Sequence, residues 1–194
     1  YISMIEKRFT EKWNAPVRNA GTPLSDDLRD APAEATQPPK RVLELLGMIL
    51  WVARVARPDV AYAASRLASR AARWTPACDV QLARTVGFLK ASKHKRLVMR
   101  RHVDDRPEDL LPELHSDASW VTEKSQSGFF LASVSERGSL VPVAWGSTKQ
   151  AIQADSSAAS ELIGAHTAVR ETLPIAQALG FRSDAHAPLR VCVC

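Results

Sequence analysis

Two carboxylates stand out for the local patterns that carry them, Asp117 and Glu161. Asp117 follows Glu113–Ser116, a short alternating run that reads as a strand, so it is delivered at a strand end. Glu161 falls in a helix-period segment that opens at Asp155 or Ser156, and two more strand-like runs lie between the two acids. Such oxygens are hard ligands of the kind Mg²⁺ takes, one or two carboxylates with several waters retained. They read as an incomplete ligand set, as would half of a two-metal site. In such a site cations about 3.5–4 Å apart serve the attacking and leaving oxygens. Spacing alone leaves plainer readings open: Asp117 as an exposed strand-end acid and Glu161 as a solvated helix residue.

Around this pair, Ser119, Lys149 and Gln150 read as loop residues placed to touch a nucleic-acid backbone. Trp120 and Trp145 offer either a stacking surface or core. Arg66, Arg70 and Arg73 recur at i, i+4 and i+7, as a solvated helix face or a phosphate-contacting stripe. His115 and His166 have no metal-ligating partners at useful spacing and read as structural, and Cys192 and Cys194 are not expected to share a metal.

The elements that must position these residues change period midway. Beyond the connector Arg106–Leu110, three strands are expected at Glu113–Ser116, Ser127–Val134 and Leu140–Trp145, with a turn at Ser135–Gly138. Pro142 argues for an edge or a bulge in the third. Gly146–Asp155 reads as a polar loop. A helix to about Ala178, interrupted at Pro174, then leads to a final strand, Leu189–Cys194. The order β-β-β-α-β is that of three antiparallel strands and a crossover helix.

The first half reads as helical. Tyr1–Trp13 spaces Ile2, Ile5 and Phe9 on one face, and Asn19–Pro39 is a Pro-rich linker or surface wrap. Lys40–Val55 puts Val42, Leu45, Leu46, Ile49, Val52 and Ala53 on one stripe. Pro58 opens a helix expected to reach Trp74, carrying Val60, Ala63, Leu67, Ala71 and Trp74. Thr75 caps a third, Pro76 to about Ser92, whose basic end KASKHKR complements the helix dipole. The expected division is a helical region, 1–103, and an α/β region, 104–194.

Composition excludes a disordered tail, with 45% hydrophobic and 24% charged residues in 194. No apolar run approaches a membrane span, so no membrane is expected, and no signal peptide is evident at Tyr1. The chain looks cut from something longer. Three cysteines, an odd count, fit free thiols in a reducing, intracellular setting. Residues 1–103 hold 19 Lys/Arg against 9 Asp/Glu and residues 104–194 hold 7 against 12, so a basic half precedes an acidic one. That asymmetry suggests phosphate attraction on one side and cation attraction on the other, or two solvated surfaces.

Several short motifs fall in a telling order. Ser116-Asp117-Ala118-Ser119-Trp120, Ser125-Gln126-Ser127-Gly128-Phe129, Ala144-Trp145-Gly146-Ser147-Thr148-Lys149-Gln150 and Ser156-Ser157-Ala158-Ala159-Ser160-Glu161 resemble SDADW, STSGY, SWKSKKQ and SSTEAE. Those are motifs of the ribonuclease H domain of copia-type (Pseudoviridae-like) retrotransposon Pol polyproteins. In the first half Arg57-Pro58-Asp59-Val60-Ala61-Tyr62-Ala63 and Gly87-Phe88-Leu89-Lys90 are similar to the region between polymerase palm and nuclease. The resemblance covers nearly the whole chain.

It implies an α/β, ribonuclease H-like β-β-β-α-β core preceded by a small helical, thumb- or connection-like region of the reverse transcriptase. It also implies an endonuclease hydrolysing RNA in an RNA–DNA hybrid, with Mg²⁺ on Asp117 and Glu161 and the rest of the Pol polyprotein as partner. Cytoplasm, retroelement particles or nucleus would be its setting. Bound to one Mg²⁺, the two carboxylates are expected as adjacent side chains. The chain departs from the pattern in three places. The family's third carboxylate falls where the last strand reads Val191-Cys192-Val193-Cys194, so either Cys194 replaces it or it lies just past Cys194; the fourth is absent, and Ala159 stands where a capping-side Glu is usual. The polymerase aspartates are absent as well, so a catalytically dead nucleic-acid-binding or structural remnant is the alternative.

Overall fold

The computed structural model describes residues 1–25, 40–120, 125–180 and 189–193. The Pro-rich stretch 26–39, residues 121–124 and 181–188, and Cys194 lie outside the described residues. The chain forms two compact units, Tyr1–Leu97 and Val98–Cys194. The boundary falls before residue 104 because Arg100 pairs through its backbone with Leu140, at 2.9 and 2.8 Å. His102 N–H also donates to Ser139 Oγ at 2.8 Å.

The first unit is helical: α1 (Ile2–Trp13), α2 (Lys40–Val55), a 3₁₀ turn at Pro58–Val60, α3 (Ala61–Ser69) and α4 (Pro76–Ala91). The six residues of the periodic stripe on α2 are all buried, with Ile5 and Phe9 of α1 and Leu82, Val86 and Leu89 of α4 in the same core. Each large side chain so buried contributes about 1.5–3 kcal/mol relative to exposure. Residues 19–25, read as linker or wrap, lie along α4. Gln81 exchanges hydrogen bonds with Ser25, and Thr85 Oγ1 donates to the Pro23 carbonyl at 2.9 Å.

Two helix expectations are corrected here. α3 stops at Ser69, five residues short of Trp74. There the Ser69 hydroxyl donates to the Arg66 carbonyl and the chain tightens into i→i+3 turns. Thr75 stands at the start of α4, but its hydroxyl lies 3.4 Å from Cys78 Sγ and caps nothing. The Arg57-Pro58-Asp59 motif is structural. Arg57, 4% exposed, pairs with both Asp59 oxygens at 2.8 and 2.7 Å and donates to Ser92 Oγ at 2.6 Å, tying the turn to the end of α4.

The second unit is one mixed sheet under one helix. β1 (Leu111–Ser119), β2 (Gln126–Val134) and β3 (Leu140–Lys149) are antiparallel neighbours, and α5 (Ser157–Ala178) crosses to β4 (Arg190–Val193), parallel to β1. Strand order is β3-β2-β1-β4. Pro142 meets both expectations for it, an edge strand and a bulge, since Leu131 pairs with Ala144 and Ala132 with Pro142. Both β1 and β3 outrun their apolar patterns, to Ser119 and Lys149, and the polar loop expected from Gly146 is corrected: Gly146-Ser147-Thr148-Lys149 continues the β3 ladder against β2 without apolar side chains. Pro174 does not interrupt α5. It stands on an exposed side, where the carbonyl lacking its partner N–H opens to water.

The helix meets the sheet through Ser160, Gly164, Ala168, Thr172 and Ala176, small residues four apart that let the backbones approach. Leu114, Leu131 and Ala168 form the buried centre. At the other end of the strands, Asp105 fastens the β2–β3 turn. Its carboxylate accepts from the Ser135 and Ser139 hydroxyls and from Arg137 at 3.1 Å.

Candidate functional site

Along β1 the pleat sorts side chains onto two faces. Leu114, Ser116 and Ala118 turn toward α5: a Cβ built on Gly164 would stand 3.1 Å from Ala118 Cβ and 3.6 Å from the Asp117 carbonyl oxygen. Alternation therefore sends Glu113, His115 and Asp117 to the opposite face. The same face carries Phe130, paired with His115, and Trp145, paired with Phe130, their rings 6.4 Å apart. Cys192 and Arg190 join it through the parallel register with His115 and Glu113.

Asp117 is exposed, two residues from the end of β1. Glu161 is half-buried, one turn before Gly164, so its Cβ lies about 5–6 Å from the helix position that touches Asp117's peptide. The two elements touch here, but the side chains leave from opposite sides of the strand, so the expectation that the carboxylates are adjacent side chains is corrected. Among the described residues, neither belongs to a group of three or more convergent metal-ligating side chains.

The first turns of α5 are fastened at that same end. Ser156 Oγ accepts from the Ala159 N–H at 3.1 Å, a cap that lacks the reciprocal Glu. The Ser160 hydroxyl is 3.5 Å from the Ser119 carbonyl. Gln150 is corrected from a surface contact to a buried clamp: its amide donates to Ser127 Oγ at 2.9 Å and to the Ser160 carbonyl at 2.8 Å. Ser119 and Lys149 are the last residues of β1 and β3, not loop residues, and both are exposed. Trp120 is half-exposed, its indole N–H donating to the Ala154 carbonyl at 3.2 Å. In the first unit Arg66 lies on α3, Arg70 is its C-cap and Arg73 falls in the turn beyond, so they do not form one helical stripe.

The expectation that His115 lacks metal-ligating partners is also corrected. Its Nε2 lies 2.7 Å from Glu113 Oε1, and ligand atoms of Glu113, His115 and Cys192 all fall within 4.8 Å of one another. Glu113 and His115 share a face at i and i+2, a spacing visible in the sequence. Cys192 reaches them only through β4's register, which no local pattern encodes. Neither protein-family models nor curated proteins match this chain.

Proposed function

We propose that the second unit is a ribonuclease H-like domain of a copia-type retroelement Pol polyprotein, and that this chain binds nucleic acid without cutting an RNA–DNA hybrid at a useful rate. One observation carries the reading: three antiparallel strands, a crossover helix and a fourth strand parallel to the first bring Asp117 and Glu161 to the same end of the sheet. That is the arrangement the four ordered motifs imply. Because the two side chains leave opposite sides of β1, the donor set does not fit a Mg²⁺ shared between them. It does not fit two ions either, since no third carboxylate stands with them among the described residues. Without a cation for each of the attacking and leaving oxygens, several kcal/mol of transition-state stabilisation are missing, which is orders of magnitude in rate.

The test is a hybrid-cleavage assay of the chain beside Cys194→Asp, in Mg²⁺ and in Mn²⁺. The chain itself should show no Asp117-dependent cleavage, and Cys194→Asp should gain cleavage that Asp117→Asn abolishes. Robust Asp117-dependent cutting by the unaltered chain would overturn the ligand count. Failure of either protein to bind hybrid would remove the nucleic-acid reading.

A further inference from the structure

We propose that Glu113, His115 and Cys192 form a transition-metal site of the zinc class on the face of the sheet opposite α5. The inference is independent of the nuclease reading and involves neither Asp117 nor Glu161. Its three donors come from two adjacent strands. Glu113 and His115 stand two apart on β1, and Cys192 is the direct parallel partner of His115 on β4. Their ligand atoms already lie within 4.8 Å of one another. A tetrahedral ion with bonds of about 2.0–2.3 Å draws such atoms to within about 3.3–3.7 Å, so closure asks for side-chain adjustment and no strand movement.

The donor chemistry selects the ion. A thiolate, an imidazole and one carboxylate suit Zn²⁺ and its borderline neighbours, whereas Mg²⁺ wants oxygen alone. Arg190 supplies an outer partner: its guanidinium lies 3.4 Å from Glu113 Oε2, while Oε1 points to His115. A carboxylate held on one oxygen presents the other in a fixed direction. Access is open, with the His115 side chain 42% exposed. Asp117, two pleat repeats from Glu113 on the same strand, does not belong to the cluster. The fourth position is therefore left to water or to an added ligand.

The site clips the short edge strand β4 to β1, and metal uptake releases the thiol proton of Cys192. The experiment titrates the reduced, metal-free chain with Co²⁺ and follows the thiolate-to-cobalt charge-transfer band. One equivalent should bind, Zn²⁺ should displace it, and excess Mg²⁺ should not. Cys192→Ser should abolish the band. Glu113→Gln, which preserves volume and leaves the thiol in place, should weaken binding by roughly tenfold or more. Cys78→Ser, Cys194→Ser and Asp117→Asn should retain the site. A missing band, a band that survives Cys192→Ser, or one lost equally in Cys194→Ser would overturn the assignment. Loss in Asp117→Asn would merge this site with the carboxylate pair and likewise overturn it.

Discussion

A single buried carboxylate, Asp105, anchors the β2–β3 turn to the segment that enters β1. Hydrogen bonds from Ser135, then from Ser139 and Arg137, lower its pKa from the ordinary 3.8 to about 2. A depressed carboxylate stabilises the fold above its unfolded pKa and loses that contribution as pH falls through the folded value. Wild type should therefore exceed Asp105→Asn in stability by a constant margin at neutral pH, and the margin should shrink between about pH 4 and about pH 2. Urea unfolding at stepped pH measures it, and a margin that grew on acidification would contradict the assignment. None of this is legible locally, because residues 106–110 read as a connector and Asp105's partners arrive some thirty positions later. Glu113, His115 and Cys192 show the same limit: two of the three share a face by spacing, while the third depends on a pairing between distant strands. Asp117 and Glu161, by contrast, are marked by the motifs around them.

At the scale of elements, apolar periodicity read the helices well where a face is continuous. All six residues of the α2 stripe are buried. It read less well where backbone bonds outlast the pattern, as at Gly146–Lys149, or where a serine competes for a carbonyl, as at the end of α3. Contacts between elements were not readable from either. Gly87 shows why: a Cβ there would stand 2.1 Å from the Arg18 carbonyl oxygen, backbone against backbone. The strap of residues 17–25 can lie along α4 only because that position has no side chain. Gly87→Ala should cost about 1–3 kcal/mol or more, since helix or strap must move. Gly47, on α2, has nothing within 4 Å of the same construction. Gly47→Ala should instead stabilise by roughly 0.5–1 kcal/mol. Chemical denaturation of both variants checks the pair, and equal effects would refute the close approach at Gly87.

For the whole molecule, charge follows the division into units. Tyr1–Leu97 holds 17 Lys/Arg against 9 Asp/Glu, and Val98–Cys194 holds 9 against 12. If the first unit draws nucleic acid through Arg66, Arg70 and Arg73, replacing all three with Gln should flatten the log–log salt dependence of binding by about two to three units. An unchanged slope would assign these arginines to solvent. Among the described residues no helix is long and apolar enough to cross a membrane. The two rims of the sheet, finally, are unlike in a way that gives the molecule a direction of growth. On the β3 rim a proline and a bulge spoil the row of donors and acceptors that another strand would have to match. The β4 rim is a four-residue parallel strand with Val191 and Val193 exposed. Among the described residues the β4 rim is therefore the one where an added strand, a neighbouring chain's included, would meet neither a proline nor a bulge, so lateral assembly would be polar.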